Sequence, residues 1–221
     1  MKKPSVTSLL ITLLLSAAIC AHGTTNSNGD PVKVGEKYFM QPVKTENNNG
    51  GGLVPAPTNI LPFCPLGITQ TLLPYQPGLP VTFRYTENID RDYITTNTPI
   101  NIEFRSDIWP VCNEFSKLWA VDDSSSAIII GGKEKSPKSE FKIQNVTVEE
   151  HTYKLTTSYG TVGTIPGAWG GAPQLLVTND ESKTLVVKFV KVDDDATKSK
   201  ATTTTTTSLV EKLGLWMFPF Y

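Results

Sequence analysis

Few residues of this 221-residue chain could carry covalent or metal chemistry. The candidates are three cysteines, Cys20, Cys64 and Cys112, and two histidines, His22 and His151. A zinc site takes several Cys or His ligands at short spacings, and these five residues do not have such spacings. A G-x-S-x-G nucleophile motif and a phosphate-binding loop are also absent from the sequence. We therefore predict a protein that is not an enzyme and has no metal and no cofactor. The alternative is an enzyme that uses His151 as a base near neutral pH.

The N-terminus has the pattern of a targeting sequence. Two lysines precede an apolar run from Leu9 to Ile19, and small residues follow at Ala21 and Gly23. The run is too short to span a bilayer, which takes about 20 apolar residues. We therefore predict a secretory signal peptide over residues 1–23, with cleavage after Ala21 or Gly23. The mature protein is then secreted, or vacuolar after C-terminal processing.

The remaining cysteines are expected to be oxidised. Cys20 leaves with the signal peptide, so the mature chain keeps Cys64 and Cys112. Two cysteines in an oxidising compartment usually form a disulfide, and we predict a structural one here. The alternative is a thiol nucleophile activated by His151.

Composition limits the classes of fold and partner. Hydrophobic residues make up 39% of the chain and charged residues 19%, with a net charge of -1. This is enough apolar surface for a core, and too little positive charge to neutralise phosphates, so no nucleic-acid partner is predicted. Thr, Val and Ile recur in short runs between Gly and Pro residues, which favours an all-β fold.

The candidate cysteine and histidine residues must be positioned by short strands. Alternating or β-rich runs recur about every dozen residues and are separated by turn residues such as Pro77-Gly78 and Gly131-Gly132. Ten or more such strands indicate a closed sandwich or barrel, since closure removes unpaired edges. The predicted strands are Tyr38–Val43, Gly67–Thr71, Val81–Tyr85, Ile100–Phe104, Leu118–Val121, Ala127–Ile130, Phe141–Val146, Tyr153–Tyr159, Gln174–Thr178 and Leu185–Val192.

Motifs in a fixed order carry a specific resemblance. They are Asn28-Gly29-Asp30-Pro31-Val32 with Gly35 and Tyr38-Phe39-Met40, Ala56-Pro57, Cys64-Pro65-Leu66, Cys112 with Trp119-Ala120-Val121-Asp122, Tyr153-Lys154-Leu155, and Leu185-Val186-Val187-Lys188-Phe189. Over roughly residues 28–195 the chain resembles the plant Kunitz-type protease inhibitors of the soybean trypsin inhibitor family. The family separation of the first two cysteines matches that of Cys64 and Cys112.

The resemblance implies a β-trefoil, a closed six-stranded barrel with a hairpin cap. The domain would span residues 24–195 and contain three pseudo-repeats, at 31–85, 98–131 and 139–192. The core is predicted to contain Trp119 together with the alternating apolar residues Tyr38, Met40, Ile100, Ile102, Phe104, Leu155, Val187 and Phe189.

Function in this family resides in one exposed loop, which enters the active site of an endopeptidase. The resemblance places that loop between Phe83 and Ile94, with the primary specificity position from Glu87 to Arg91. It implies a monomer whose partner is a serine protease, with cysteine or aspartic proteases as other targets. The predicted reactive loop is Arg84, Tyr85, Thr86, Glu87, Asn88, Ile89, Asp90 and Arg91.

Two departures from the family pattern predict a weak or retargeted inhibitor. Asp90 and Asp92 flank Arg91, and these carboxylates would repel the carboxylate of a trypsin-like specificity pocket. The family also supports its loop with an Asn where this chain has Val34, whose side chain cannot donate a hydrogen bond.

Other functions remain open. One is a miraculin-like, lectin-like or storage trefoil that binds a partner without inhibiting proteases, with Trp109, Trp169 or Tyr93 as an aromatic platform. A less favoured one is a trefoil recruited for another chemistry, with His151 as the base. A protease panel separates inhibition from binding or storage.

Local features outside the loop complete the predictions. The second family disulfide is missing, since Ser158 stands near its first cysteine, so segment 160–171 with Trp169 is predicted to be a mobile apolar loop. Asn145 begins the N-x-S/T acceptor Asn145-Val146-Thr147 and is a predicted glycosylation site. Asp193, Asp194 and Asp195 are predicted to form a solvated turn, because they lack the pattern of a calcium loop.

The C-terminal tail, residues 196–221, contains a low-complexity threonine tract and an apolar end. We interpret it as a removable sorting propeptide. The alternative is a short segment that touches a membrane or a partner, because the apolar end is too short to span a bilayer.

Overall fold

A computed structural model gives the chain an all-β architecture. It describes residues 23–44, 50–58, 63–106, 109, 111–148, 150–167 and 171–192. The predicted signal peptide, except Gly23, the tail, Trp169 and the run Asp193 to Asp195 lie outside these residues. Within these ranges, two short 3₁₀ helices, Pro137–Ser139 and Glu181–Lys183, accompany the strands. The strands are β1 Tyr38–Pro42, β2 Leu53–Ala56, β3 Gly67–Gln70, β4 Val81–Tyr85, β5 Ile100–Phe104, β6 Trp119–Val121, β7 Ile128–Ile130, β8 Lys142–Thr147, β9 Thr152–Thr157, β10 Gly160–Ile165, β11 Gln174–Thr178 and β12 Val186–Lys191.

All twelve strands belong to one antiparallel sheet. The hydrogen-bonded order is β5-β4-β1-β12-β9-β10-β11-β3-β7-β6, with β2 paired to β3 and β8 paired to β9. The path has two ends, β5 and β6, which meet at the isolated bridge Glu103–Leu118. The all-β prediction is confirmed. The predicted closure of six strands into a barrel is not seen as a strand ladder here, because β5 and β6 meet at an isolated bridge.

Two strand pairs determine where the candidate loop lies. β1 pairs with β12 from Tyr38 opposite Lys191 to Pro42 opposite Val187, which joins the two ends of the domain. β4 pairs with β5 over its whole length, from Val81 opposite Phe104 onward. The segment between β4 and β5 therefore leaves the sheet and returns to it at one edge.

Two sequence predictions on strands were wrong. The sequence analysis did not predict β2, because Pro55, which has no N–H, interrupts the pattern of β-forming residues. Among the described strands, β2 pairs only with β3, and such an edge position tolerates proline. Residues 160–165 of the predicted mobile loop instead form β10, which pairs with β11 over five positions from Thr161 to Ile165. The glycines that suggested a loop are required by packing, since a Cβ at Gly163 would lie 2.6 Å from the carbonyl oxygen of Lys183.

The predicted core is confirmed. All eight alternating apolar residues and Trp119 are at most 1% exposed. Trp119 packs against Phe104, with ring centroids 5.2 Å apart, and Tyr153 stacks on Phe189 at the same distance. Each such side chain contributes about 1.5–3 kcal/mol when fully buried. Trp119 therefore acts in packing rather than as a ligand platform.

The predicted disulfide between Cys64 and Cys112 is also confirmed. Their Cα atoms lie 5.8 Å apart and the bond closes a sequence separation of 48 residues. It connects the segment before β3 to the segment after β5, and it excludes Cys112 as a free thiol nucleophile. Among the described residues, no helix is both long enough and apolar enough to cross a membrane.

Candidate functional site

The predicted reactive loop begins inside β4, since Arg84 and Tyr85 pair with Asn101 and Ile100 of β5, and it continues as a surface segment from Thr86 to Arg91. Arg84, Glu87, Asn88, Asp90 and Arg91 are exposed. Tyr85, Thr86 and Ile89 are half-buried. All eight predicted residues thus lie at one surface of the domain.

The middle of the loop is not extended. The N–H of Ile89 donates to the carbonyl of Glu87 at 2.9 Å, and the N–H of Arg91 donates to the carbonyl of Ile89 at 2.9 Å. Hydrogen bonds between residues two apart define γ-turns, here centred on Asn88 and Asp90. These two turns shorten the backbone between Glu87 and Arg91 where a bound protease substrate would be fully extended.

The base of the loop is fixed by the hydroxyl of Tyr85. This hydroxyl donates to the carbonyl of Tyr93 at 2.7 Å and accepts the N–H of Thr95 at 3.0 Å. It also lies 3.3 Å from the Thr95 hydroxyl. Because Tyr85 packs against the core, it connects the two limbs of the loop to the rigid part of the domain. Sequence reasoning placed Tyr85 in the loop but missed this role, since no spacing pattern signals it.

The returning limb is held by the N-terminal segment, residues 23–35. The N–H of Val34 donates to the carbonyl of Asp92, and the N–H of Ile94 donates to the carbonyl of Val32. The N–H of Thr24 donates in turn to the carbonyl of Ile94 at 2.8 Å. Val34 therefore supports the loop through its main chain, while its side chain packs against the core as an aliphatic residue must.

An ion pair ties the end of this segment to the last strand. Lys191 Nζ lies 2.8 Å from a Glu36 carboxylate oxygen. The hydrogen bond from Lys191 holds the pKa of Glu36 below its usual value. The hydroxyl of Tyr38 donates to the same carboxylate at 3.3 Å, and burial raises the pKa of Tyr38. The charges here are structural and lie away from the tip of the candidate loop.

A shallow groove runs beside the loop. It comprises two adjoining depressions of about 150 and 390 Å³, which share Thr86, Glu87, Asn88 and Lys135 in their lining. The charged lining of the smaller depression is mixed in sign and comprises Arg84, Glu87, Glu103, Glu134 and Lys135. Such a groove suits neither an apolar ligand nor a strongly charged one.

A second surface feature is the β3–β4 loop, residues 71–78, which we call the apolar loop. Leu72 and Leu73 are 51% and 41% exposed, and Tyr75 is 77% exposed. The sequence analysis did not single out these residues, although a Leu-Leu-Pro-Tyr run outside a predicted strand was the available signal. Large apolar residues exposed together mark interaction sites more often than scattered ones do.

The apolar loop is rigid because two glycines, Gly51 and Gly52, pack beneath it. Gly51 N–H donates to the carbonyl of Thr71, Thr71 N–H donates to the carbonyl of Gly52, and Gly52 N–H donates to the carbonyl of Gln76, each at 2.8 Å. A Cβ on Gly51 would lie 2.2 Å from the carbonyl oxygen of Leu73, and one on Gly52 would lie 1.9 Å from that of Pro77. Only glycine permits this approach, so the loop presents its apolar side chains in a fixed arrangement.

The remaining candidates do not assemble a reactive centre. His151 Nδ1 lies 2.8 Å from the hydroxyl of Thr25, away from both cysteines of the disulfide. Within the described ranges, no group of three or more His, Cys, Asp or Glu residues could hold a metal ion.

Comparison with known proteins establishes the family. The family model described as "Trypsin and protease inhibitor" matches residues 25–191. The chain is 57% identical to Kunitz trypsin inhibitor 2 of Arabidopsis thaliana, over 89% of this chain and 96% of that relative. The chain therefore belongs to the Kunitz family of plant inhibitors, and the predicted resemblance is confirmed. Proteins of this family are inhibitors rather than enzymes, which confirms the prediction that the chain is not an enzyme.

Solved structures similar to this chain carry two different functions. The water-soluble chlorophyll protein from Brassica oleracea var. Botrytis, solved with chlorophyll b, has 68% sequence identity and a TM-score of 0.73, covering 78% of this chain and 99% of its own. Soybean trypsin inhibitor in complex with porcine pancreatic trypsin has 24% identity and a TM-score of 0.66, covering 78% and 100%. The second likeness shows the fold, so the predicted β-trefoil is confirmed.

Proposed function

We propose that the chain is a water-soluble chlorophyll-binding member of the Kunitz family. This is the non-inhibitory binding alternative that the sequence left open, now with a ligand class. The supporting relative is the chlorophyll protein that shares 68% identity over almost its whole chain. The observation that carries the proposal is the rigid apolar loop, with Leu72, Leu73 and Tyr75 turned to solvent.

The physical argument rests on what a chlorophyll needs from a protein. Its ring and phytyl chain are apolar, so binding must cover them with apolar side chains. A loop already held by Gly51 and Gly52 loses little conformational freedom on binding, which favours affinity. The mixed-charge groove beside the candidate reactive loop offers no comparable surface.

Reconstitution with pigment tests this proposal. We expect the full mature chain to solubilise chlorophyll b and to quench its fluorescence in a saturable titration. Burying one leucine contributes about 1.5–3 kcal/mol, so Leu72→Asp should weaken binding at least tenfold. The matched control is Val148→Asp, which changes a valine that is 62% exposed at the end of the β8–β9 hairpin. Equal pigment affinity in the two variants would contradict the assignment of the apolar loop.

A second candidate function is protease inhibition through residues 84–93. Family membership and the fixed base at Tyr85 favour it, since a braced loop needs little ordering on binding. The two γ-turns and the acidic neighbours of Arg91 argue for weak inhibition of trypsin. The partner would be a serine protease first, with cysteine and aspartic proteases as alternatives.

A protease panel tests this second function. We expect no nanomolar inhibition of trypsin, and any inhibition of another protease should be lost when Asn88 or Ile89 is replaced by proline. A nanomolar inhibition constant against trypsin that disappears in Arg91→Ala would refute the weak-inhibitor proposal.

We also propose that the chain is secreted and processed to a domain of residues 24–195. The disulfide supports an oxidising compartment, and the family match at 25–191 falls within these limits. Asn145 lies half-buried on β8 opposite Tyr153, and its glycosylation remains a prediction. Intact-mass measurement of protein purified from plant cells, with Asn145→Gln as the control, tests signal removal, tail removal and glycan attachment together.

A further inference from the structure

The apolar loop, residues 71–78, presents an uncharged surface to solvent. Leu72 and Tyr75 are 51% and 77% exposed, and no residue of the loop carries a charge. Gly51 and Gly52 hold its main chain through hydrogen bonds of 2.8 Å, so its side chains keep one arrangement. A partner can therefore cover the loop without ordering it and without supplying a counter-charge. The surface fits an uncharged apolar segment.

The exposed valines of the β8–β9 hairpin have a different setting. Val146 and Val148 are 48% and 62% exposed, and Glu150 follows them in the turn. An uncharged segment that covered these valines would come close to a carboxylate, and a carboxylate loses free energy when it leaves water unpaired. The apolar loop is thus the better surface for an uncharged segment, and the hairpin serves as a control surface.

The same chain contains such a segment beyond the described residues. Residues 213–221 carry no charge and include Trp216, Phe218 and Phe220. The connection from β12 to this segment, residues 193–212, is rich in Asp, Thr and Lys, which favour contact with water. Large apolar side chains at this density favour burial against another apolar surface.

Strand pairing places the start of the tail near the apolar loop. β12 ends at Lys191, which lies opposite Tyr38 of β1. Tyr38 also lies opposite Val81, the first residue of β4. Neighbouring strands are about 4.8 Å apart, so Lys191 and Val81 are separated by about 10 Å. The chain from Tyr75 to Val81 spans at most about 20 Å, and β12 therefore ends within about 30 Å of the exposed Tyr75.

The connection is long enough for this contact to form within one molecule. A coil of the length of residues 193–212 has a mean end-to-end distance of about 25 Å, close to the span from Lys191 to Tyr75. A linker whose mean length matches the span gives an effective concentration in the millimolar range. At that concentration a contact with a Kd of about 1 mM between separate pieces is half occupied, and a tighter contact is mostly occupied.

We propose that residues 213–221 dock on the apolar loop of the same chain and cover Leu72, Leu73 and Tyr75 until the tail is removed. The contact itself does not require the loop to bind pigment. Its consequence rests on the proposed function, because a docked tail competes with chlorophyll for the loop. The chain that retains its tail is then a precursor whose binding surface is covered.

Solvent accessibility of the loop amides tests the contact without any ligand. The protein is the ¹⁵N-labelled chain of residues 24–221, with its tail verified by intact mass. The probe is an uncharged gadolinium chelate, whose relaxation enhancement is measured at each amide by NMR. Wild type is compared with Trp216→Asp/Phe218→Asp, which adds charge to the apolar segment. The matched control is Thr203→Asp/Thr205→Asp in the threonine tract, and both changes lie outside the described domain.

We expect the relaxation enhancement at Leu72, Leu73 and Tyr75 to be about twofold or more higher in Trp216→Asp/Phe218→Asp than in wild type. In Thr203→Asp/Thr205→Asp it should equal the wild-type value. The amides of Val146 and Val148 should be equally accessible in all three proteins. Dilution of the wild type by about tenfold should leave every value unchanged, because a contact within one molecule does not depend on concentration.

Equal enhancement at the loop amides in all three proteins would overturn the proposal, whether the loop is open or covered in them. A wild-type loop that becomes accessible on dilution would also overturn it, since the occupant would then be a second copy. Tail-dependent protection of Phe63 or Val111, in place of the loop, would refute the assignment of the surface.

A pigment titration separates this inference from the proposed function. With competition by the tail, Trp216→Asp/Phe218→Asp should bind chlorophyll b about twofold or more tightly than the wild-type chain of residues 24–221. Equal affinity in the two proteins would contradict that competition. If neither protein binds the pigment, the proposed function fails, and the accessibility measurement still decides whether the tail covers the loop.

Discussion

Removing one hydroxyl tests whether Tyr85 supports the candidate loop. In Tyr85→Phe the ring remains against the core, but the carbonyl of Tyr93 loses its donor and the N–H of Thr95 loses its acceptor. Thr95 is 1% exposed, so water cannot replace the tyrosine oxygen without opening the loop. Leaving a buried donor unpaired costs about 1–3 kcal/mol, and we expect a loss of about 2 kcal/mol in the free energy of unfolding.

Urea denaturation followed by tryptophan fluorescence measures this loss. With a slope of about 2 kcal/mol per molar urea, the midpoint should fall by about 1 M while the slope stays unchanged. The control is Tyr75→Phe, at a tyrosine that is 77% exposed, and it should leave the midpoint within error. If Tyr85→Phe changes stability by less than about 0.5 kcal/mol, water satisfies Thr95 in the variant and the hydroxyl is not the support of the loop.

Three further predictions concern stability. Among the described residues, neither polar atom of the buried Gln70 side-chain amide has a hydrogen-bond partner, so Gln70→Met should leave the melting temperature unchanged or raise it, by calorimetry. The hydrogen bond from Lys191 stabilises ionised Glu36 and lowers the pKa of this carboxyl in the folded protein. The contribution of Glu36 to the free energy of unfolding is therefore fully present above the pKa of the unfolded carboxyl, and it is lost as the pH falls through the lower folded pKa. Between pH 7 and pH 3 the wild type should therefore lose more stability than Glu36→Gln, as measured by urea midpoints. The double variant Cys64→Ser/Cys112→Ser should lose up to about 4 kcal/mol, since the bond closes a 48-residue separation; an unchanged urea midpoint would contradict the chain-entropy account.

Local sequence pattern predicted the strands that alternate cleanly. The runs Val81–Tyr85, Ile100–Phe104 and Gln174–Thr178 match β4, β5 and β11 residue for residue, and β-branched and aromatic side chains dominate the first two. Pattern failed where packing overrides propensity. Gly160 and Gly163 indicate a loop when only neighbours in sequence are considered, yet both lie in β10. The carbonyl oxygen of Lys183 leaves no room for a side chain at Gly163, and Gly160 has a φ of 144°, which favours glycine.

The role of the predicted loop stays a prediction, and its conformation could not be predicted from the sequence. The order of motifs located residues 84–91, and their mixed charge indicated poor complementarity to trypsin. The γ-turns, the hydroxyl contacts of Tyr85 and the exposure of Leu72 depend on contacts between residues far apart in sequence, or on turn geometry that many sequences allow. Apolar composition alone could not distinguish a leucine of the apolar loop from a leucine of the core.

The pairing of the first strand with the last has a consequence for biosynthesis. β1 finds its only extended ladder with β12, at the far end of the domain, whereas its other pairing, with β4, is a single position. At synthesis rates of roughly 5–20 residues per second, β1 would wait on the order of ten seconds or more for that partner to be made. During this interval Tyr38 and Met40 have no completed core to enter. The ladder that joins the two ends of the domain can therefore form only after β12 has been synthesised, and until then β1 is a strand with an unpaired edge.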